Sequence, residues 1–584
     1  AAEGQSATES AGEPLADAPL LAALAFASGL LVFAAEVTGT HLLTLLIGNS
    51  AYAFGLMLAV FLSCLSVGAA LAEPLERRGG THALPVALLL TGAALLLTLP
   101  VWGQLPRAFV ATGHLVSSWA GRELVRAAVA MGALVVPTIC MGLTFPLLLR
   151  RVAGRRDVAA RVGRLTAVNT VGAIIGSLAC GYLVLPALGS EWTLRGVALV
   201  FAGCGLATLW WQRRPVTGDR PSRAPGLGRA GGLAVAMGGV CLVGALLLPR
   251  WDMMLMTNGA NVYFDTQPRP DELVFVREDV HGGLTSVARR GDTLTLYTNG
   301  KFQGNNGSEV TAQRSFAHFP SLFVQRFDRA LVIGLGTGTT LGTIAAYPYQ
   351  TIDVAEISPS IVEAAGRFFT GPNRNSLADP RVRLTLNDGR NVLLLATHAY
   401  DLITIELTSV WFAGAANLYS LEFYRLCKRH LTVGGILQQW VQLHHIHRRE
   451  LAVVLRTLRR QFDHVALFVS GGQGIVVASG EPLVTSRARV AELGATRSIA
   501  ATLGSGQSLV GLMDRLLISG AELDRFITDS EAEGGPILST DENLYLEYAT
   551  PKGNVMSYGE SYHRMVALLA SYRTPEPAAR HYVP

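Results

Sequence analysis

Lysine is nearly absent from this chain, and charge of either sign is scarce. Among 584 residues only Lys301, Lys428 and Lys552 are lysines, and charged residues make up 16% of the sequence. The formal net charge of +5 comes mainly from arginines in short loops. Nucleic-acid binding needs basic residues interleaved with aromatic ones on one surface. The sequence has no such stripe, so we expect no nucleic-acid partner.

Paired cysteines are also missing. None of the six cysteines belongs to a CxxC motif, and Cys427 is the only one in the second, more polar half of the chain. The sequence therefore indicates neither a disulfide framework nor a cysteine-based metal site, and it does not fix the redox compartment.

Long apolar runs are concentrated in the first 250 residues. Seven of them are long enough to span a bilayer. They lie at about 20–46, 51–72, 83–101, 124–149, 165–188, 192–211 and 230–249. One such run could be a buried helix of a soluble protein, but seven in succession predict a transmembrane domain over residues 20–249. The acidic, small residues of 1–19 predict a disordered N-terminus.

Arginines are distributed unevenly over the loops between these runs. The second, fourth and sixth loops carry thirteen arginines, and the opposite side carries five. Cytoplasmic loops are enriched in basic residues, so we expect a cytoplasmic N-terminus in the cytoplasmic membrane. Seven crossings would then place the rest of the chain outside the cytoplasm.

Glu36 is an ionisable residue near the middle of the first apolar run. A carboxyl group inside a membrane is costly, and it usually faces a bundle interior or a cavity. A functional role is one interpretation. The other is a protonated side chain that is hydrogen-bonded to a neighbouring helix, for example to Asn169.

Residues 250–315 have the pattern of a small β domain. Short strand-like runs lie at 273–277, 285–289 and 292–297, turn residues stand between them, and Asn299-Gly300 is a hairpin signal after the third strand. Strand and helix patterns then alternate, which predicts a Rossmann-like α/β domain over residues 316–584.

A glycine-rich turn begins that domain. Gly334, Gly336 and Gly338 follow an apolar strand, and Glu356 ends the next strand eighteen residues later. Such a turn lets the backbone approach a ligand, and the acidic residue is placed to accept hydrogen bonds from ribose hydroxyls. Asp388 and Glu406 follow two later strands, so all of these residues should lie at the carboxyl edge of one sheet. The sequence thus predicts a nucleoside site.

These motifs resemble spermidine synthases, which are polyamine aminopropyltransferases with the class I methyltransferase fold. The resemblance covers about residues 270–480, and the multi-span half is similar to the membrane-fused bacterial branch of the family. The segments that carry it are Asn299–Gln303, Gly334–Gly338, Glu356, Asn387–Asp388, Tyr400–Ile403, Leu418–Tyr424, Met141–Pro146 and Asn169–Ala173.

The resemblance implies roles for individual residues. The donor would be decarboxylated S-adenosylmethionine or a related adenosyl compound, with no metal. Gly334, Gly336 and Gly338 would lie under its nucleoside, and Glu356 would bind the ribose. Asp388 would contact the adenine amino group. Gln303 matches a donor-side glutamine, and Tyr419 matches a residue of the acceptor pocket.

Two positions depart from the family pattern. Ser409 replaces the aspartate that orients and deprotonates the attacking amine, and a serine cannot act as a base near neutral pH. Arg314 stands where a carboxylate facing the polyamine is expected, and its charge would repel a cationic acceptor. Both changes argue against ordinary spermidine synthesis.

Two carboxylates could take over the chemistry. Glu406 is the only acidic residue in the loop that carries Ser409, so we predict that it acts as acid/base or orients the substrate. Its alternative is a cap or an ion pair. Asp541 could close the pocket, or it could cap a turn before an edge strand.

The segment Trp440–His447 holds three histidines in four residues. A metal site, a substrate-lining segment and a surface segment are the three interpretations. His444 and its neighbour cannot share one face of a strand, and no carboxylate completes a ligand set. We therefore predict that Trp440 and His444 line the substrate pocket, together with Ser409 and Arg314.

Three functions remain open. The first is aminopropyl or related alkyl transfer from an adenosyl-sulfonium donor to an amine. The second is an enzyme of the same fold that acts outside the cytoplasm on a peptide, lipid or small molecule without a nucleoside. The third is a non-catalytic, membrane-anchored binding module. The expected partners are the lipid bilayer, a small amine or exported substrate, and a second copy of the chain in a homodimer.

Overall fold

The computed structural model describes residues 18–48, 50–152, 157–212, 229–280, 283–406, 410, 412–504, 506–531, 534–574 and 581–583. Most of the N-terminus that is predicted to be disordered therefore lies outside the described residues, and so does Ser409. The chain forms two compact units. The first comprises Ala1–Leu43, Leu56–Leu105 and Ala127–Trp251, and the second comprises Thr44–Gly55, Pro106–Arg126 and Asp252–Pro584.

The N-terminal region is helical and apolar, as predicted. Its helices are α1 (Ala18–Ile47), α2 (Ala51–Gly79), α3 (Ala83–Gly113), α4 (Trp119–Arg150), α5 (Val158–Ala179), α6 (Leu185–Trp211) and α7 (Arg229–Leu247), with a π-helical turn at Cys180–Val184. Four helical stretches are long and apolar enough to cross a membrane: Pro19–Leu46, Ala51–Gly113, Trp119–Arg150 and Val158–Trp211. The number of crossings and their orientation stay predictions.

Glycines of α5 allow it to pack closely against α1. A Cβ on Gly172 would collide with the carbonyl oxygen of Phe26, and one on Gly176 would collide with that of Leu30. Small residues four apart are a common device for close packing of membrane helices. The Asn169–Ala173 segment is therefore part of a packing seam. Within the described residues the side-chain oxygen of Asn169 has no hydrogen-bond partner, and the suggested bond between Asn169 and Glu36 stays a prediction.

The second unit contains a four-stranded antiparallel sheet. Its strands follow one another in sequence order: β1 (Glu272–Asp279), β2 (Gly283–Arg290), β3 (Thr293–Thr298) and β4 (Lys301–Asn305). Asn299 and Gly300 both have positive φ, 49° and 71°, as a tight hairpin turn requires. The sheet lies in the same compact unit as the large sheet, so the structure does not separate residues 250–315 as a domain of their own.

An eight-stranded sheet forms the centre of the second unit. Its strands are β5 (Arg329–Ile333), β6 (Thr351–Glu356), β7 (Val382–Leu386), β8 (Tyr400–Ile405), β9 (Leu431–Val441), β10 (His464–Ser470), β11 (Gln473–Ser479) and β13 (Leu516–Ser519). The order is β13-β10-β11-β9-β8-β5-β6-β7, and two further strands, β12 (Thr485–Ser486) and β14 (Tyr582–Val583), pair separately. Strands β5 to β9 are parallel and the remaining three are antiparallel.

Helices surround this sheet. They are α8 (Met253–Met256), α9 (Ala260–Tyr263), α10 (Val310–Ser321), α11 (Thr339–Ile344), α12 (Pro359–Phe368), α13 (Gly389–Leu395), α14 (Leu421–Arg429), α15 (Arg448–Arg459), α16 (Arg487–Ala495), α17 (Arg497–Ala500), α18 (Leu509–Leu512), α19 (Gly520–Ser530), α20 (Tyr545–Ala549) and α21 (Tyr558–Ala570).

The central strands are apolar on both faces because helices cover both sides of a parallel sheet. Leu331 in β5 and Leu402 and Ile403 in β8 are fully buried. The strand order reverses between β5 and β8, and a ligand of such a sheet binds beyond the carboxyl ends at this reversal. The glycine-rich turn follows β5, Glu356 ends β6 and Glu406 follows β8. All three therefore lie on that edge of the sheet.

Candidate functional site

The glycine-rich turn has the backbone conformation that its sequence predicts. Gly334, Gly336 and Gly338 have φ values of 88°, 53° and 78°, a region that other residues rarely enter. A Cβ on Gly334 would also stand 2.6 Å from the carbonyl oxygen of Glu406. Gly334 and Gly336 line a cavity of about 360 Å³, whereas Gly338 supports the turn against Asn373 from outside that cavity.

We call this cavity of about 360 Å³ the donor cavity, after the role that the family resemblance implies for its residues. It is enclosed by the carboxyl ends of β5, β6 and β8, the start of α13, and the hairpin between β3 and β4. The predicted residues that line it are Gln303, Gly334, Gly336, Glu356, Asp388 and Glu406. Five segments distant in sequence thus converge on one space.

Glu356 is held rigidly at the end of β6. One carboxylate oxygen accepts a hydrogen bond from the backbone N–H of Leu335 at 2.8 Å, and the other accepts one from Ser358 at 2.9 Å. Burial raises the pKa of this carboxyl. Each carboxylate oxygen can accept a second hydrogen bond, so the geometry suits a ligand that offers two adjacent hydroxyls.

Asp388 caps the N-terminus of α13. Its Oδ1 accepts hydrogen bonds from the backbone N–H groups of Arg390 and Asn391 at 2.8 and 3.2 Å. This leaves Oδ2 as an acceptor for a ligand amino group in the donor cavity. The capping role explains why Asp follows Asn387 here, and it does not compete with the predicted binding role.

A second cavity of about 420 Å³ adjoins the first, and we call it the acceptor cavity. Its lining includes Lys301, Glu309, Trp440, His444, His445 and Tyr558. Gln303 and Glu406 line both cavities. A molecule in the donor cavity and another in the acceptor cavity would therefore meet beside these two side chains.

Glu406 lies directly after β8, and its backbone N–H donates to the carbonyl oxygen of Ile333 at 3.0 Å. Burial, together with the nearby charge of Glu309, raises the pKa of Glu406 to about 8. Among the residues that the structure describes, Glu406 forms no ion pair, whereas the turn that it could cap, at residues 407–409, lies outside them. A carboxyl with a pKa near 8 is a competent proton acceptor for an amine.

Lys301 is a site residue that sequence reasoning missed as a separate candidate. It begins β4, its side chain is 9% exposed, and its ammonium nitrogen lies 5.7 Å from the ring centre of Phe412. Burial lowers the pKa of Lys301 to about 7. Its rarity was a usable signal, because a lysine-poor chain places one of its three lysines directly after the hairpin turn.

Glu309 was also missed, and His445 was not singled out within the histidine segment. Glu309 precedes α10, and burial raises its pKa. His445 has a positive φ of 52°, which turns the chain sharply after β9. Neither could be assigned from spacing, because helix α10 and the turn after β9 are brought together only by the sheet.

The histidine segment lines the acceptor cavity at His444 and His445, whose ring centres lie 5.1 Å apart. Burial, with Lys301 nearby, lowers the pKa of His444 to about 3 and that of His445 to about 4. In the described part of the chain no group of three or more potential ligands could hold a metal ion. Trp440 also lines this cavity, and its indole N–H donates to Gln473 at 2.9 Å.

Three predicted site residues line neither cavity. Tyr419 is fully buried and its hydroxyl donates to the carbonyl oxygen of Trp440 at 2.9 Å, so it supports the wall of the acceptor cavity from behind. Asp541 is engaged by Arg390 at 2.9 Å, and this hydrogen bond lowers its pKa. Arg314 is absent from the lining of both cavities, and burial and nearby Arg374 lower its pKa. The direct site roles of these residues stay predictions.

Comparisons with known proteins agree with this geometry. Residues 309–471 match the spermine/spermidine synthase domain. The chain is 28% identical over 403 residues to a polyamine aminopropyltransferase of Mycobacterium tuberculosis, covering 67% of this chain and 71% of the relative. It is 27% identical over 431 residues to one from Corynebacterium efficiens, covering 71% and 74%.

Among solved structures, the spermidine synthase from Thermotoga maritima aligns with a TM-score of 0.34 and 17% identity, over 36% of this chain and 74% of that one. The second unit is a mixed-sheet, Rossmann-like α/β unit with two adjoining cavities at the carboxyl edge of its parallel strands. The chain is therefore similar to spermidine synthase-like proteins, and its relatives bear the name of a transferase. Neither the donor-free enzyme nor the non-catalytic module is favoured by these relatives.

Proposed function

We propose that this protein transfers an aminopropyl or related alkyl group from an adenosyl-sulfonium donor to an amine acceptor. The observation that carries the proposal is the position of Glu406, which lines both cavities. The relatives named polyamine aminopropyltransferases support the reaction class. We further propose that the helical region holds the enzyme in the bilayer, which the long apolar helices support.

The donor fits the residues of its cavity. Glu356 and Asp388 offer fixed acceptors for hydroxyl and amino groups, and the glycine-rich turn leaves room beside them. Decarboxylated S-adenosylmethionine supplies the carbon next to its sulfonium as electrophile. The chain supplies positioning and a proton acceptor, and holding the reacting atoms about 3 Å apart contributes much of the rate.

The transfer requires a neutral amine beside that carbon. The amine nitrogen forms a bond to the methylene carbon, the carbon–sulfur bond breaks, and the sulfur leaves as a neutral thioether. The proton that the amine loses goes to the carboxylate of Glu406. This assigns to Glu406 the base function that Ser409 cannot provide, since a hydroxyl accepts protons poorly near neutral pH.

The test is a turnover assay on the purified full-length protein in detergent. Decarboxylated S-adenosylmethionine is mixed with a panel of amines, and release of 5′-methylthioadenosine is measured chromatographically. We expect Glu406→Gln to lower the rate by about 10²–10⁴-fold, the usual range for a lost acid/base group. Ser409→Ala should keep the activity.

Glu492→Gln is the matched control, because Glu492 is exposed on α16 and lines neither cavity. It should turn over at the wild-type rate. A Glu406→Gln variant that is as active as this control would refute the assigned base. A wild-type protein that releases no thioether product with any amine would refute the transferase function itself.

A further inference from the structure

The end of α3, the start of α4 and the connection between them belong to the same compact unit as the acceptor cavity. We call this segment, residues 106–126, the 106–126 hairpin. All of its residues are described, and none of them lines either cavity. Its contacts nevertheless reach the acceptor cavity, because they are made with residues that form or directly support the cavity wall.

One of these contacts is with Phe264, which directly follows Tyr263 at the end of α9. Tyr263 lines the acceptor cavity. The buried ring of Phe264 packs edge-on against Phe109, with ring centres 5.2 Å apart. A Cβ on Gly113 would stand 1.7 Å from the carbonyl oxygen of Phe264, so the hairpin backbone lies directly against this residue. Phe264 has a φ of 54°, a conformation that persists only where the surroundings impose it. The hairpin therefore fixes the chain next to Tyr263.

Arg122 makes a second contact, at a different part of the wall. Its Nη1 donates to the backbone carbonyl oxygen of Asn554 at 2.9 Å, and Asn554 lines the acceptor cavity from the 3₁₀ turn Thr550–Val555. A Cβ on the preceding residue, Gly553, would stand 2.1 Å from the carbonyl oxygen of His445. His445 also lines the cavity, and its φ of 52° depends on its neighbours. The turn that Arg122 holds is therefore in backbone contact with the histidine segment.

Arg122 connects these two parts of the wall. Its guanidinium carbon lies 4.8 Å from the ring centre of Phe264, while the same group donates to Asn554. A hydrogen bond from a charged donor is stronger than a neutral one, and a cation over an aromatic ring gains most where water is excluded. Arg122 is partly buried. One side chain thus sets the spacing between the Tyr263 side and the Asn554 side of the acceptor cavity.

The donor cavity is held by other contacts. Its glycine-rich turn lies against the main chain of Glu406, and the carboxylate of Glu356 is fixed by backbone N–H groups at the ends of β5 and β6. The side-chain hydrogen bond and the ring contact of Arg122 go to Asn554 and Phe264 instead. A change at Arg122 should therefore reach the acceptor cavity without moving the donor or the proposed base.

Building on the proposed transferase function, we propose that Arg122 is a positioning residue for the amine acceptor, and that the 106–126 hairpin shapes the acceptor cavity. Arg122 lines neither cavity and acts through Phe264 and Asn554, which it holds at the separation that the acceptor requires. Loss of Arg122 weakens acceptor binding and leaves the alignment of Glu406 with the donor unchanged. A segment of the helical region then takes part in substrate binding as well as in anchoring.

Steady-state kinetics on the purified full-length protein in detergent test this role. Decarboxylated S-adenosylmethionine is kept saturating, and the varied acceptor is the amine that the turnover assay finds most active. Arg122→Met keeps an unbranched stem against Phe264 and removes the hydrogen bond to Asn554. We expect its KM for that amine to rise by about tenfold, the effect of losing one hydrogen bond from a charged group. Its kcat should change by less than about threefold, because uniform binding rather than transition-state binding is lost.

Two further variants show whether the effect belongs to the contact. Arg122→Lys restores a cation and an N–H donor, so its KM should lie within about threefold of the wild-type value. Arg383→Met is the matched control, because Arg383 is exposed on β7 and lines neither cavity. It should have the kinetic constants of the wild type. An Arg122→Met variant with the KM of this control, or an Arg122→Lys variant as impaired as Arg122→Met, would overturn the proposal.

A merely structural role for Arg122 would disturb both cavities. Binding of 5′-methylthioadenosine, measured by calorimetry, reports the donor cavity and should be the same in Arg122→Met and the wild type. Weaker binding by Arg122→Met would mean that Arg122 supports the whole second unit, and the positioning role would be wrong.

Hydrogen exchange followed by mass spectrometry examines the cavity wall without turnover. In Arg122→Met, exchange at residues 442–447 and 553–558 should be faster by about tenfold, and exchange at residues 334–338 should be unchanged. If the wild type releases no thioether with any amine, the transferase function is wrong, and faster exchange confined to those two segments still assigns the wall to Arg122. If thioether is released but Arg122→Met matches the control in KM and in exchange, the transferase function stands and the role of Arg122 is wrong.

Discussion

Gly334 lies against the main chain of Glu406, so closely that a Cβ on the glycine would stand 2.6 Å from the glutamate carbonyl oxygen. The backbone N–H of Glu406 donates to the residue just before this glycine, Ile333, at 3.0 Å. The backbone at the start of the glycine-rich turn and the backbone of the proposed base are therefore in direct contact and hydrogen-bonded to each other. A shift in one must move the other.

Replacing Gly334 by alanine tests this coupling. The φ of 88° and the contact with Glu406 both oppose a side chain, so we expect Gly334→Ala to destabilise the protein by about 1–3 kcal/mol. It should also weaken donor binding and slow transfer. Gly366→Ala is the control, because this exposed glycine of α12 has only a distant neighbour at 3.7 Å. Thermal unfolding should show it as stable as wild type or slightly more stable. Equal melting temperatures for the two variants would contradict the coupling.

The raised pKa of Glu406 predicts a pH dependence of catalysis. A base must be deprotonated, and with a pKa of about 8 this carboxyl is mostly protonated at neutral pH. We expect kcat/KM to rise with pH and to level off above about 8, since this ratio reports the free enzyme. The residual kcat/KM of Glu406→Gln should not show this rise with pH. A rise that persists in Glu406→Gln would assign the titration to another group.

The same shift predicts a pH dependence of stability. The folded state holds the proton on Glu406 more tightly than the unfolded state does. The resulting contribution to the free energy of unfolding is fully present below about pH 4.5 and is lost as pH rises through about 8. Glu406→Gln removes the buried charge. The free energy of unfolding of this variant, measured relative to wild type, should therefore be higher at pH 9 than at pH 5 by about 1–3 kcal/mol. Melting curves at the two values check this, with Glu492→Gln as reference. A difference independent of pH would show that Glu406 does not titrate as stated.

Local signals in the sequence were sufficient to predict residues that line one cavity, the one proposed to hold the donor. A glycine-rich turn needs only its own backbone conformation, and Glu356 follows at a spacing set by one helix and one strand. The acceptor side could not be predicted in this way. Lys301, Glu309 and His445 come from three separate elements, and only the sheet order brings them together.

Side-chain direction limited the other predictions. Tyr419 and Asp541 lie near the predicted positions in the chain, but each points to a structural partner, Trp440 and Arg390 respectively. The pattern of a motif gives a residue's place along an element and does not give the rotamer that packing selects. The helical region was predictable in extent, because apolar length is a local property.

Removing the carboxylate of Glu356 should weaken binding of the nucleoside. The side chain is fixed by two backbone N–H groups and lines the donor cavity, so its loss removes both the ligand contact and part of the turn's support. We expect Glu356→Ala to weaken 5′-methylthioadenosine binding by about 1–3 kcal/mol in calorimetry. Glu492→Ala serves as control. If Glu356→Ala binds like that control, the assigned ribose site is wrong.

The side of the membrane on which the second unit lies follows from the number of crossings. Thirteen arginines in alternate loops against five on the other side favour a cytoplasmic N-terminus, and seven crossings then predict an extracytoplasmic C-terminus. We expect alkaline phosphatase fused after Pro584 to be active and green fluorescent protein at the same position to be dark. Fusions after residue 214, in the sixth loop, should show the reverse. A cytoplasmic signal at the C-terminus would mean an even number of crossings and would give the proposed transferase direct access to a donor made in the cytoplasm. An extracytoplasmic signal would place the cavity that Glu356 lines outside the cytoplasm. The proposed transfer would then require that the donor reach the outer side of the membrane.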